Sequence, residues 1–356
     1  MKKLGLILCL FLSAASLQAQ EEESTLSITG SVDLYYKYDF SGTGNIGTSF
    51  GNEQNSLSIG MIDLLFEKAA GKASFVGEIS FGPRSRSSVG PGSLLGTVGE
   101  GDGAFDVVDY VPNIQNLYVS YAFTDKFSMT AGYMGTFVGY EVISPTGNFN
   151  YSTSYLFTNG PFQNAGVKAE YAFNDRLALM VGAFNQWNVY TADPDLGLSE
   201  IGAQLYVSPI EGWDAYINFI TGQGNGTELD LTTTYQLTDA FLVGLNAATY
   251  SQTSLGADSV GTFWGVAGYL NYAVTDWAAL GVRFEHFNAN AIQGILSSDE
   301  DAAVNALTIS ANLGTDGLVF IPEFRLDAAS TDIFVDAEGA ATKTAAQILF
   351  GVVYAF

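Results

Sequence analysis

The sequence predicts an all-β fold: a transmembrane antiparallel β-barrel of about sixteen strands, with fourteen and eighteen as the alternatives. Apolar and polar residues alternate with period two through most of the chain, the signature of strands with one dry and one wet face. The links between these segments are short and long by turns, as in barrels with tight turns on one rim and large loops on the other. The last strand alternates up to the final residue, Phe356.

Residues 1–19 read as a secretory signal peptide. Lys2 and Lys3 begin it, and Leu4 to Leu12 form a short apolar run. Small residues from Ala14 onward lead to a cut after Ala19, with Ala15 as the alternative. The apolar run is too short to span a bilayer, which takes about 20 such residues. Cys9, the single cysteine, falls inside this segment and follows Leu8, a poor context for lipid attachment. The mature domain, 20–356, therefore has no disulfide and no thiolate metal site. With Lys2 and Lys3 removed, eleven basic residues stand against 37 acidic ones, a net charge of −26. Such a chain does not hold nucleic acid through its phosphates. A content of 47% hydrophobic and 13% aromatic residues argues against disorder. No later stretch makes a membrane helix, so a membrane location requires a closed barrel, in which strands satisfy every backbone hydrogen bond in lipid.

From Leu26 to Phe40, one face carries Leu26, Ile28, Val32, Leu34, Tyr36, Tyr38 and Phe40. The other face carries Ser27, Thr29, Ser31, Asp33, Tyr35, Lys37 and Asp39. Asn116 to Phe123 sets Leu117, Val119, Tyr121 and Phe123 against Asn116, Tyr118, Ser120 and Ala122. In Val167 to Phe173 the charges Lys168 and Glu170 share a face, and in Leu318 to Leu326 so do Glu323 and Arg325, with Asp327 next in the same alternation. A charge on the lipid face at mid-bilayer costs about 2–4 kcal/mol, so the charged faces are expected to line the lumen. Gly60 to Lys68 and Leu177 to Tyr190 are also read as strands, although neither has a clean polar face.

A repeated phrase marks the short links. Tyr171-Ala172-Phe173-Asn174-Asp175-Arg176-Leu177 returns as Tyr121 to Phe127, Tyr235 to Phe241 and Tyr272 to Trp277, each with Asn-Asp or Thr-Asp at its centre. Such pairs between alternating runs signal tight hairpins. The flanking aromatics suit a membrane interface. Short links at 69–71, 124–125, 174–175, 208–212, 238–239, 275–276 and 314–317 alternate with long ones at 41–54, 82–113, 140–161, 191–199, 221–227, 251–260, 288–303 and 328–343. This gives sixteen strands with both termini on the periplasmic side. At the C-terminus, Phe350, Val352, Tyr354 and Phe356 alternate and resemble the assembly signal that insertion machinery reads in outer-membrane barrels.

The block 117–191 carries a family resemblance. Gly139-Tyr140-Glu141 leads to Asn150-Tyr151-Ser152-Thr153-Ser154-Tyr155-Leu156-Phe157. Gly160-Pro161-Phe162, Gly166-Val167-Lys168, the hairpin at Tyr171 and Asn185-Gln186-Trp187-Asn188 follow. Together these resemble the β-barrel porin family described as OmpL-like, of Gram-negative outer membranes. The family often has an arginine near Thr153 and a glycine at Gln186, which this chain lacks. The resemblance implies diffusion of small solutes and supplies no catalytic residue.

Few residues suggest other chemistry. His286, the only histidine, could pair with a serine in a lipid hydrolase, but its register with Val282 and Phe284 suits an interfacial histidine better. Acidic groups at Asp193 and Asp195, at Asp299, Glu300 and Asp301, and at Asp332, Asp336 and Glu338 offer oxygen ligands for calcium without the spacing of a calcium loop. Gly42-Thr43-Gly44 and Gly99-Glu100-Gly101-Asp102-Gly103 lack the lysine and helix of a phosphate cradle. No cofactor is expected. In the loop 140–161, Glu141, Asn148, Asn150, Tyr151 and Tyr155 either turn inward to constrict a pore or pack on the rim. Lys168, Glu170, Arg283, Glu285, Glu323 and Arg325 are the candidate lumen charges.

Sixteen strands leave an aqueous channel. The expected function is passive diffusion of small hydrophilic solutes across the outer membrane, with a preference for cations. The expected partners are outer-membrane lipids and the barrel assembly machinery; the sequence leaves a monomer and a homo-oligomer such as a trimer both open. The rival readings are an adhesin or scaffold with a blocked lumen, a lipid-cleaving barrel and a soluble exported β-protein.

Overall fold

Sixteen antiparallel strands close on themselves in the computed structural model, which describes residues 25–87, 113–252, 261–290, 296 and 301–356. The expected signal peptide, Gly99 to Gly103, Asp299 and Glu300 lie outside these residues. The first eight strands are β1 (Ser27–Asp39), β2 (Ser56–Ala70), β3 (Ala73–Phe81), β4 (Ile114–Ala122), β5 (Phe127–Gly135), β6 (Gln163–Asn174), β7 (Leu177–Phe184) and β8 (Glu200–Val207). There follow β9 (Trp213–Gly222), β10 (Gly226–Gln236), β11 (Phe241–Ser251), β12 (Thr262–Thr275), β13 (Ala278–Asn290), β14 (Ala302–Thr315) and β15 (Leu318–Ala329). A small hairpin, β16 (Phe334–Val335) and β17 (Ala341–Thr342), stands apart before the closing strand β18 (Thr344–Ala355). β18 pairs with β15 on one side and with β1 on the other, where Ser31 meets Ala355 and Asp39 meets Gln347. Phe356 and Gly30 exchange two backbone hydrogen bonds of 3.0 Å.

Register carries one face round the whole barrel, because directly paired residues point to the same side. Ser31 lies opposite Asp63, Lys168 opposite Thr130, Arg283 opposite Thr308, and Thr308 opposite Arg325. That set is luminal. Leu117, Val119, Phe284, Phe324 and Phe350 belong to the other face and are exposed there. At the turn end, Tyr121 and Phe123 meet edge to face at 4.9 Å, and Tyr171 and Phe173 at 5.0 Å, forming an aromatic girdle beside the tight turns.

The two untidy segments have physical reasons. In β2 the pairing to β1 slips between Val32 and Leu34, a bulge, and the luminal set is mixed: Met61, Asp63, Leu65 and Glu67. Strand β7 ends at Phe184, short of Tyr190, and its luminal Met180 and Phe184 are apolar because loop residue Phe137 packs on Phe184 at 5.6 Å. One expectation is corrected. The link between β9 and β10 is a tight turn at 223–225, not a long loop, because Gly222 still pairs with Gly226, which takes a positive φ of 95°. Link length therefore does not alternate strictly, although the sidedness of the links does.

The core sits inside the barrel at the loop end. Tyr155 and Leu156 pack with Phe263, Phe287, Val304 and Leu296, while Phe50, Phe157 and Phe162 form a second apolar cluster.

Candidate functional site: a strap across the lumen

The link from β5 to β6, residues 136–162, folds into the barrel as a strap. It contains a 3-10 turn, Pro145–Gly147, and one helical turn, α1 (Tyr155–Asn159). Both have local causes. Pro145 starts the 3-10 turn, and the Asn148 side chain closes it by bonding both backbone groups of Val142, at 3.0 and 2.6 Å. Ser154 caps α1 by accepting from the Phe157 amide at 3.0 Å.

Backbone groups taken inside a barrel must find partners, and the far wall supplies them. Glu323 accepts from the amides of Tyr151 (2.9 Å) and Ser152 (3.3 Å). Glu285 accepts from Tyr155 (2.9 Å) and Leu156 (2.8 Å). The strap's own Glu141 accepts from the Ser154 amide at 2.7 Å and pairs with Arg283 at 2.6 Å. Arg283 also donates to the Ser152 carbonyl at 2.7 Å, and Arg325 to the Thr153 carbonyl at 2.8 Å. Arg325 is held in turn by Asp327, at 2.8 Å. Each such charged bond contributes about 1.5–3 kcal/mol.

Side chains complete the docking. Tyr155 donates to Asp327 at 2.8 Å, Tyr151 donates to Asp33, and Asn150 donates to Ser310 at 2.7 Å. Burial pushes the Tyr151 and Tyr155 phenols well above their usual range, so both remain donors. Arg84 lies over the rings of Phe50 and Tyr151 at 4.4 and 4.9 Å, with Asp33 3.6 Å away. Wall glycines receive the strap's large side chains. Tyr151 sits against Gly351, Phe149 against Gly281, Tyr140 against Gly244 and Leu156 against Gly265; a Cβ would collide at the first three and would be tight at Gly265.

The candidate lumen residues divide into two groups. Glu141, Asn150, Tyr151, Tyr155, Arg283, Glu285, Glu323 and Arg325 are buried in the contact between strap and wall. Asn148, Lys168 and Glu170 remain half-exposed. Other half-exposed or exposed luminal groups on the near wall are Glu67, Glu78, Asn116, Gln204 and Asp214. Lys168 pairs with Glu170 at 2.8 Å, Asn116 donates to Glu78, and Tyr206 donates to Asp214 at 2.7 Å. Sequence reasoning did not single out Asp33, Arg84 and Asp327 as strap partners. The luminal parity of Asp33 and Asp327 was the available signal, whereas Arg84 offered none.

The remaining candidates lie elsewhere. His286 faces outward, with Nδ1 2.8 Å from the Asn305 amide oxygen and its ring 5.0 Å from Trp264; its partner is an amide, not a serine hydroxyl. Asp193 accepts from the Asp195 amide, and Asp336 accepts from Glu338 and Ala340, so these carboxylates shape their own turns. Among the described residues, no three His, Cys, Asp or Glu side chains come together as a metal site.

Residues 25–356 match the family described as "Putative beta-barrel porin-2, OmpL-like". The chain belongs to that family. Its fold and family place it in the outer membrane, with the turn end on the periplasmic side. No protein of curated function matches it in sequence. Among solved structures it is similar to the outer membrane channel DcaP of Acinetobacter baumannii, with a TM-score of 0.61 and 13% identity over 95% of this chain and 99% of that one. OmpF of Salmonella typhi, in complex with daunomycin, gives 0.62 and 12% over 95% and 99%. An anion-selective porin from Comamonas acidovorans gives 0.59 and 9% over 94% and 100%. At these identities the likeness is one of fold.

Proposed function

We infer that this porin-family barrel passes small hydrophilic solutes and ions by passive diffusion and prefers cations. The fold alone carries no charge preference, since one structural neighbour is an anion-selective porin, so the argument rests on the residues. The observation that carries it is how the lumen's charges are used. Arg84, Arg283 and Arg325 are spent on the strap and its acids, and Lys37 is buried. The half-exposed or exposed charges of the periplasmic vestibule are Glu67, Glu78, Glu170 and Asp214 against Lys168 alone, which is itself paired to Glu170. A solute entering between this wall and the strap's edge, where Val142, Ser144, Thr146 and Asn148 meet water, crosses a field that draws cations. Reversal potentials in a KCl gradient test the preference; a chloride-selective channel overturns it.

A second reading has one observation in its favour. The apolar clusters around Phe287 and Phe157 fill lumen space at the loop end, as suits a barrel that serves as a scaffold with no open pore. Liposome swelling separates the two readings. Uptake of small sugars supports diffusion, and no uptake supports the scaffold.

A further inference from the structure

Among the described residues, the exposed cations of the periplasmic rim are gathered on one arc. Among residues with described side chains, Lys37, Arg84, Lys168, Arg283 and Arg325 lie inside the barrel, and Lys343 stands in a loop at the far end. The remaining four are Lys68 and Lys72 beside the β2–β3 turn, Lys126 in the β4–β5 turn and Arg176 in the β6–β7 turn, all exposed. These are three successive hairpins. The next four turns contain Glu211, Asp239, Asp276 and Asp316, and no lysine or arginine occurs between Arg176 and Arg283.

Two of the arc's charges are held by the neighbouring hairpin, and a third faces lipid. Lys68 shares the lipid-facing parity of Leu64 and Phe66 and pairs with Phe75. The Lys72 ammonium donates to the Phe123 carbonyl of the next hairpin at 3.1 Å, and Lys126 reaches the Phe173 carbonyl of the hairpin after that at 3.5 Å. Both ammoniums therefore stand beside the girdle rings of Tyr121, Phe123, Tyr171 and Phe173, the depth at which phospholipid headgroups meet a barrel. Asp125 and Asp175 lie in the same turns, so the arc holds four cations and two acids, a net charge of +2. The opposite arc has four acids and no cation.

We propose that the rim from β2 to β7 is a binding surface for anionic phospholipid headgroups of the inner leaflet, and that the opposite arc excludes them. Each lipid phosphate would meet ammonium or guanidinium groups while its chains lie along Phe75, Val119 and Ala169 on the outer wall. Phospholipid is favoured over a soluble acidic partner because Lys68 faces lipid and the other cations flank girdle aromatics.

The test is native mass spectrometry of the full chain in mild detergent with equal amounts of phosphatidylglycerol and phosphatidylcholine. The wild type is expected to retain phosphatidylglycerol at least about threefold more, since each basic residue at a headgroup favours anionic lipid several-fold. The variant K68Q/K72Q/K126Q/R176Q, shown to be folded by its heat-modifiable gel mobility, should retain both lipids equally. The variant E211Q/D239N/D276N/D316N should keep or increase the preference. Equal retention by the wild type, or an unchanged preference in the first variant, would overturn the proposal. So would cosedimentation of the wild type with peptidoglycan that the first variant loses, in the absence of any lipid preference.

Discussion

The far wall of the barrel, from β11 through β15 and β18 to β1, and the near wall, from β2 to β9, carry similar kinds of residue and use them differently. On the far wall Arg283, Glu285, Glu323, Arg325 and Asp327 are buried, and each is bonded to strap backbone or paired with an opposite charge. On the near wall Glu67, Glu78, Lys168 and Glu170 stay in contact with water. A charge in a lumen can hold a loop or act on a passing ion, and here the first task falls mainly to the far wall; Asp63 of β2, which accepts from Ser144 of the strap at 3.3 Å, and Gln204 of β8, which donates to the Phe137 carbonyl at 3.0 Å, are the near wall's share of it. Buried charges need partners wherever they lie, so the strap's position decides which charges remain for the solute.

Breaking the far wall should have the largest effect. Arg283→Ala leaves Glu141 buried without its cation, which should cost about 3–5 kcal/mol of strap docking. The expected readout is a lower unfolding midpoint by gel mobility together with a larger single-channel conductance as the strap loosens. A conductance equal to wild type in a variant of lowered stability would contradict the strap's placement in the lumen.

Overpacking the same contact comes next. Gly351→Ala drives a methyl into the Tyr151 ring and should cost about 1–3 kcal/mol in urea unfolding from lipid vesicles. Gly268→Ala, on the lipid face with nothing within 4 Å of the added carbon, is the matched control and should be close to neutral. Tyr155→Phe removes only the donor to Asp327, whose carboxylate keeps Arg325. About 0.5–1.5 kcal/mol is expected by the same unfolding measurement.

The barrel was legible because period two and hairpin chemistry are local. Ser31, Asp33, Lys37 and Asp39 were assigned to the wet face from alternation alone, and the register puts them in the lumen. The tight turn at 223–225 escaped because 221–227 was read as a long link, where the pairing in fact runs up to the turn. The strap's seat was not legible. Tyr151 finds Gly351 and Glu323, and Tyr155 finds Glu285 and Asp327, through contacts more than a hundred residues apart. No sequence period encodes such pairs. The loop's polar and aromatic residues could be named as candidates, but the residues they would meet could not.

The division of labour between the walls is tested most directly by the reversal potential across a KCl gradient, measured on the wild type beside the near-wall variant Glu67→Gln/Glu78→Gln/Glu170→Gln. These near-wall groups do not seat the strap, so the variant should fold as the wild type does. The predicted result is a cation-selective wild type whose selectivity falls toward none in the variant. A chloride-selective wild type, or a cation preference that survives loss of all three carboxylates, would contradict it.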